Sequence, residues 1–253
     1  MTRVVLTQPR PRVDRLAARL AERGHDVVVL SFRRLLGMGE SEQVREVFAR
    51  VRDFRWVVFV SPGAIEAALP ALPADWPPQV GIAVIGPGSL QALREAGIDP
   101  QRVRCVMPPA PPYDADALIG LPAFAAMRDG RILVVAGDRG RTDWMDALAA
   151  RGVAVERACA YRNASCEPDA DAIERVGAWA GDSAPAVFVF SSVDAVAALG
   201  QLQRASAWRD WALGQQALAP HPRIAHALLS AGWRNARVIE PGEQALCAAL
   251  ESR

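Results

Sequence analysis

A strand, turn and helix that open the chain return near residue 130, and this recurrence limits the available folds more than any single motif. The segment TRVVLTQPRPRVDRLAARLAERG (2–24) matches GRILVVAGDRGRTDWMDALAARG (130–152) in its apolar run, polar turn, helical period and Arg-Gly stop. Likewise VVFVSPGAIEAAL (57–69) matches VFVFSSVDAVAAL (187–199), and IAVIGPGSLQALREAG (82–97) matches QALAPHPRIAHALLSAG (216–232). Solenoids repeat every 20 to 50 residues or so, so a wider offset means one duplicated unit rather than an array. Continuous Val/Ile runs of strand length alternating with helical stretches are the pattern of parallel strands buried on both faces by helices. The fold class is α/β.

The repeated units cover 2–34, 52–110, 130–162 and 185–240, and two arrangements fit them. Either neighbours along the chain pair into domains, or the chain leaves the first unit, builds the middle two as one domain, and returns to finish the first with the last. The runs VVVLSFRR (27–34) and VERACAYRN (155–163) lie where the second arrangement needs crossing strands, but periodicity does not choose. Proline-rich ALPALPADWPP (68–78) and MPPAPPY (107–113) read as surface loops, and ASCEPDADAIE (164–174) leads into a further helix.

Composition removes several chemistries. No lysine occurs, so all 29 basic residues are arginines and no Schiff-base or Walker-A lysine exists. The three histidines, His25, His221 and His226, are not spaced as metal ligands, and no metal site is expected. His25 reads as a turn residue and His226 as a helix-surface residue. Cys105, Cys159, Cys166 and Cys247 form no CxxC pair, as in a reducing compartment. A formal charge of +1 gives no basic footprint for nucleic acid, and MTRVVLTQPR runs straight into a strand without a signal-like apolar segment. A cytoplasmic protein without a membrane partner is the expectation.

In open parallel sheets ligands bind at the carboxyl ends of strands, where helix N-termini present backbone N–H groups. The loops there are Thr7-Gln8-Pro9-Arg10, Ser61-Pro62-Gly63, Gly86-Pro87-Gly88-Ser89, Gly137-Asp138-Arg139-Gly140-Arg141, Ser191-Ser192 and His221-Pro222-Arg223. Hydroxyls, glycines and arginines in that position suit carboxylates or phosphates. The plainer reading makes Ser61, Ser89 and Ser192 helix caps, Arg139 and Arg141 part of a solvated ion-pair cluster with Asp138, and Tyr161 a core or ladder residue. Gly86-Pro87-Gly88 is an incomplete dinucleotide loop.

The ordered set VVLTQPR, FVSPGAIEA, VIGPGSLQAL, ILVVAGDRGR, ACAYR, FVFSSVDAV and HPRIAHALLSAG resembles the uroporphyrinogen-III synthase family along essentially the whole chain. That resemblance implies two similar α/β domains with parallel sheets, interleaved in sequence and joined by a two-stranded linker, with the active site in the cleft between them. It implies one domain from 1–33 plus 165–253, a second from 36–160, and linker strands at 27–35 and 156–164. The implied reaction is cofactor-free: hydroxymethylbilane loses water and closes to uroporphyrinogen III with its last pyrrole ring inverted. The implied substrate contacts are Thr7, Arg10, Ser61, Pro62, Gly86, Ser89, Gly137, Arg139, Arg141, Ser191, Ser192 and Arg223, with Tyr161 as the catalytic candidate.

The chain departs from the family pattern at Gln8, where the family often has arginine, and at His221-Pro222-Arg223-Ile224, where it often has Gly-Pro-Thr-Thr. The expected partner is the small linear tetrapyrrole alone, handled by a monomer with a transient contact to the preceding enzyme of the pathway. The competing classes are a non-catalytic two-lobed ligand-binding or regulatory protein and a nucleotide-dependent transferase. The missing lysine counts against the second.

Overall fold

A computed structural model describes residues 1–10, 12–37, 39–204 and 207–251. The chain divides into two compact units, one formed by Met1–Leu35 with Ala164–Arg253 and the other by Leu36–Asn163. Its strands are β1 (Arg3–Leu6), β2 (Asp26–Val29), β3 (Arg33–Leu36), β4 (Trp56–Phe59), β5 (Gly81–Val84), β6 (Cys105–Val106), β7 (Arg131–Gly137), β8 (Ala154–Ser165), β9 (Ala186–Val189), β10 (Gln216–Ala219) and β11 (Asn235–Val238).

The unit that contains both chain ends holds a five-stranded sheet in the order β11-β10-β9-β1-β2, and its pairs are parallel. Alternate residues feed opposite faces. Val4, Leu6, Val187, Val189 and Leu218 pack on one side with Val13, Leu20, Leu246 and Leu250. Val5, Phe188, Phe190 and Ala217 pack on the other with Trp179, Trp208 and Trp233. The Trp233 ring stands edge-on to Phe188 and Phe190, at centroid distances of 5.0 and 5.3 Å. Helices on both faces explain why these strands carry no polar alternation.

The unit 36–163 contributes the strands from β8 onward, with Leu36 of β3, to a six-stranded sheet in the order β3-β8-β7-β4-β5-β6. Leaving out β3, it repeats the strand order of the other sheet, with β7 in the place of β1, β4 in that of β9 and β5 in that of β10. The sequence copies therefore occupy equivalent strands. Val57, Phe59, Ile82, Val84, Leu133 and Val135 face one core, whereas Trp56, Val58, Ala83, Ile132 and Val134 face the other. A Cβ at Gly81 would land in the Trp56 ring, so this strand start has to be glycine.

Residues 27–35 are two strands rather than one. β2 ends at Val29 within the five-stranded sheet and β3 begins at Arg33. Between them the Ser31 hydroxyl donates to the Arg33 carbonyl at 2.7 Å, a local bond that competes with continued strand pairing. β8 is long, with 12 residues, and it starts as a parallel partner of β7. Its register shifts beside Ala136/Gly137, so Cys159 lies opposite Ala136 while Tyr161 lies opposite Gly137. Ala160 is the extra residue, and the bulge re-aims the residues after it.

Candidate active site

The helices after the central strands begin with the polar and proline residues that their sequences offer. Ser61 accepts the Ala64 N–H at 3.1 Å and caps the helix Pro62–Ala68, with Pro62 in the first turn where a missing N–H is harmless. Ser192 accepts the Ala195 N–H at 3.1 Å in the same way at the start of Val193–Arg204, and exposed Ser191 leaves that task to it. Gly86 precedes the helix Pro87–Glu95 without a side-chain cap. His221 caps Pro222–Ser230 by accepting the Arg223 N–H on Nδ1 at 3.0 Å, a capping role that the sequence reading gave only to serines.

In the unit 36–163 the ends of β4 and β7 meet the second half of β8 at one constellation. Tyr161 is fixed by its carbonyl, which accepts the Asp138 N–H at 2.9 Å. Its ring crosses Gly137 on the adjacent strand and brings its hydroxyl to 3.1 Å from Ser61 Oγ, beyond β4. Strands lie about 4.8 Å apart, so a tyrosine spans to the second strand only if the intervening residue leaves its path clear. Gly137 does so: a Cβ there would stand 2.5 Å from the ring Cε2 and 2.7 Å from Cζ. Gly86 has a similar relation to Tyr113, whose Cβ lies 3.2 Å from where a Cβ of residue 86 would be. Neither the bulge that turns Tyr161 nor its Ser61 contact across 100 positions leaves a local sequence signal.

The anion-binding candidates differ in what they have to offer. Arg141 donates to Asp143 (3.0 and 2.5 Å) and to Asp116 (2.9 and 3.5 Å), and these bonds hold its guanidinium firmly charged. It is a surface ion-pair hub, with two carboxylates already in place. Arg139 is exposed beside Asp138, whose carboxyl is held below its ordinary value chiefly by the Asn163 N–H that it accepts at 2.9 Å. Ser89 is buried in the first turn of its helix.

In the unit formed by both chain ends, Thr7 is buried and its hydroxyl donates to the Val189 carbonyl at 2.9 Å, tying β1 to β9. Arg10 pairs with Asp169 at 3.0 Å and Asp14 at 3.5 Å. Arg223 is exposed at the start of its helix. The amide oxygen of Gln8 is buried without a hydrogen-bond partner. Among the described residues no three His, Cys, Asp or Glu side chains group as metal ligands, and no helix is long and apolar enough to cross a membrane. A hollow of about 650 Å³ in the unit 36–163 is lined by Asp116, Arg128 and Arg151 and lacks any of the hydroxyl or tyrosine candidates.

These features define a class: a protein of two α/β units with parallel sheets whose strand ends carry hydroxyls, arginines and helix starts. The family model described as uroporphyrinogen-III synthase HemD matches residues 14–247, and the chain belongs to that family. Its fold is similar to a mutant uroporphyrinogen III synthase from the extreme thermophile Thermus thermophilus, at 18% identity and a TM-score of 0.55 with all of both chains covered. It is equally similar to uroporphyrinogen-III synthetase from Helicobacter pylori, at 12% identity and a TM-score of 0.55, again over all of both chains. Family membership makes this chain a cyclising lyase of tetrapyrrole biosynthesis that acts on hydroxymethylbilane.

Proposed function

We propose that Tyr161 donates a hydrogen bond to the departing hydroxyl of hydroxymethylbilane, and that the strand-end loops hold the carboxylates of the substrate while it closes. The observation that carries this reading is the seat of Tyr161 across Gly137, with its hydroxyl 3.1 Å from Ser61 Oγ beside the carboxyl ends of β4 and β7. A phenolic O–H is a hydrogen-bond donor, and a donor placed on a leaving oxygen eases its departure as water. Water then departs and a pyrrole nitrogen pushes electrons into an azafulvene cation. The last ring attacks through its substituted carbon, and the spiro intermediate fragments and recloses with that ring inverted. The closing ring loses a proton, which restores the phenol and leaves uroporphyrinogen III and water.

The rest of the task is orientation. Hydroxymethylbilane closes unaided to the uninverted isomer, so the protein gains most by folding the chain and directing attack. For the carboxylates the strongest candidates are Arg139, Arg223, Ser191 and the Gly88 N–H in the first turn of Pro87–Glu95, where the Ser89 and Leu90 N–H groups already donate to the Gly86 carbonyl. Thr7, Arg10, Ser89 and Arg141 contribute chiefly by shaping these loops, because they are buried or already paired. The enzyme acts in the cytoplasm as a monomer without a cofactor, taking substrate in a transient contact with the enzyme that makes it.

The test is Tyr161→Phe with freshly generated hydroxymethylbilane, read as turnover and product isomer. General acid assistance is worth about 10² to 10⁴ in rate, and the low end applies to a leaving group driven out by pyrrole nitrogen. Turnover should fall by about 10² while the inverted isomer persists. Full turnover, or a loss explained by a lower melting temperature, would refute the role.

A further inference from the structure

The chain has two tyrosines, and both lie beside the carboxyl ends of strands in the same sheet. Tyr161 belongs to β8, whereas Tyr113 follows β6 at the far end of the strand order. Between them the starts of two helices meet, since a Cβ on Gly88 would stand 3.6 Å from Pro62 Cγ. Tyr113 bounds this stretch on the β5 side. A Cβ on Gly86 would lie 3.2 Å from the Tyr113 Cβ, 3.5 Å from Cγ and 3.9 Å from Cδ1, so the ring begins directly against the backbone where β5 gives way to its helix. Gly86 is extended, at φ −160° and ψ 177°, which any residue adopts, so its missing side chain serves the room that Tyr113 occupies.

Packing and anchoring do not explain this ring. Tyr113 is half-buried, yet among the described residues it joins neither hydrophobic cluster of its unit and its hydroxyl has no hydrogen-bond partner. Nor is the ring needed to fix the loop that carries it. Asp114, the next residue, accepts the Ala117 N–H at 2.8 Å on its carboxylate and the Leu118 N–H at 3.1 Å on its carbonyl, which ties the chain to the helix Ala115–Gly120. Pro111 and Pro112 restrict the backbone just before it. A large ring kept half in water on a glycine seat, outside the core, is a face that another aromatic ring can cover.

We infer that Tyr113 is a specificity-determining residue for the cyclisation, its ring packing against a pyrrole of hydroxymethylbilane and keeping the bilane from closing without inversion. The inference rests on the reading that the strand-end loops hold the substrate carboxylates, and it supplies the contact for the uncharged part of the substrate. Carboxylate contacts fix the ends of flexible side arms and leave each pyrrole free to turn about its bridging methylenes. The product is decided by that turn, because the last ring must present its substituted carbon to the cation rather than its free one. A flat wall limits the turn, since aromatic pairs prefer offset or edge-to-face contact at centroid distances of about 4.5 to 7 Å.

The experiment compares Tyr113→Phe and Tyr113→Leu with the native protein on freshly generated hydroxymethylbilane. It reads KM, kcat, melting temperature and the fraction of uninverted isomer, with unaided closure subtracted. Tyr113→Phe keeps the ring and should keep the native KM and isomer fraction. Tyr113→Leu still covers Gly86 but has no aromatic face, so KM should rise by about two- to tenfold, the strength of an aromatic pair, and the uninverted isomer should rise with it. Both variants should fold, since the ring lies outside the core. A ring that merely covers Gly86 would lower the melting temperature of Tyr113→Leu and leave its isomer fraction native, and that result overturns the role. A Tyr113→Phe that loses as much as Tyr113→Leu overturns it too, because the hydroxyl would then be the contact. The carboxylate reading beneath is tested apart, by Arg139→Ala and Arg223→Ala: native KM in both removes that reading, while the isomer fraction of Tyr113→Leu still decides the role of the ring.

Discussion

Replacing Gly137 with alanine puts a methyl group where the Tyr161 ring now lies. The new carbon would start 2.5 Å from Cε2, 2.7 Å from Cζ and 3.1 Å from the hydroxyl oxygen. Unstrained carbon contacts are about 3.5 to 4.0 Å, so the ring must retreat by about 1 Å or more. It can do this by side-chain rotation, because the atoms in the way are at the far end of the tyrosine. Retreat takes the phenol out of hydrogen-bond range of Ser61, which it now meets at 3.1 Å. The fold should survive with a loss of about 1 to 3 kcal/mol, as overpacking usually costs. Turnover should fall by about tenfold or more, but no further than in Tyr161→Phe, since a displaced phenol forfeits at most what the phenol contributes. The assay is initial rate on hydroxymethylbilane with chemical denaturation in parallel, and Tyr161→Ala should remove the stability loss by emptying the space. A folded Gly137→Ala with native turnover would refute the reasoning, as would an equal stability loss in the Tyr161→Ala background.

Two further expectations concern titrating groups. Glu156 accepts from Arg50 and, at 3.1 Å, from Arg131, and the Arg50 bond foremost holds its carboxyl below the ordinary 4.5. A lowered folded pKa means stability that is present above the unfolded value and lost as pH falls through the folded one, so Glu156→Gln should flatten the acid limb of the stability profile below pH of about 4.5, by about 1 kcal/mol or less for so exposed a pair. An unaltered acid limb in that variant would contradict the assignment. Burial pushes the Cys105 thiol up to about 11, with Arg94 opposing weakly, so at pH 8 only about one thiol in a thousand is thiolate. Mass-spectrometric labelling should find Cys105 slow in the native protein and fast in denaturant, and rapid native labelling would be the contrary result.

The sheets were legible because their strands are buried on both faces. Runs such as Val57-Val58-Phe59 and Val187-Phe188-Val189 have no polar alternation, and their repetition gives the same strand order twice. Helix starts were legible too, since Ser61-Pro62 and Ser192 announce caps by local chemistry. The features that escaped were set by distant partners or by a single side chain. The break between β2 and β3 turns on Ser31 bonding two residues ahead, within a run that otherwise reads as one strand. The shift at Ala160 arises from pairing with β7, and nothing in ACAYR marks it. For Arg141 the sequence left an anion contact and an ion-pair cluster both open, and its partner Asp116, 25 positions upstream, is invisible to local inspection.

The position of β1 has a consequence for how the nascent chain acquires its structure. β1 lies between β2 and β9, and Arg3 pairs with both Asp26 and Ala186. Its second neighbour therefore leaves the ribosome about 180 residues after it, which at about 5 to 20 residues per second is a wait of about 10 to 40 s. Through that interval Val4, Val5 and Leu6 have one edge unpaired, while residues 36–163, contiguous in the chain, are made in full. β1 is thus completed long after its own synthesis, and an unpaired apolar edge of that kind is where a chaperone would be drawn or misassembly would begin.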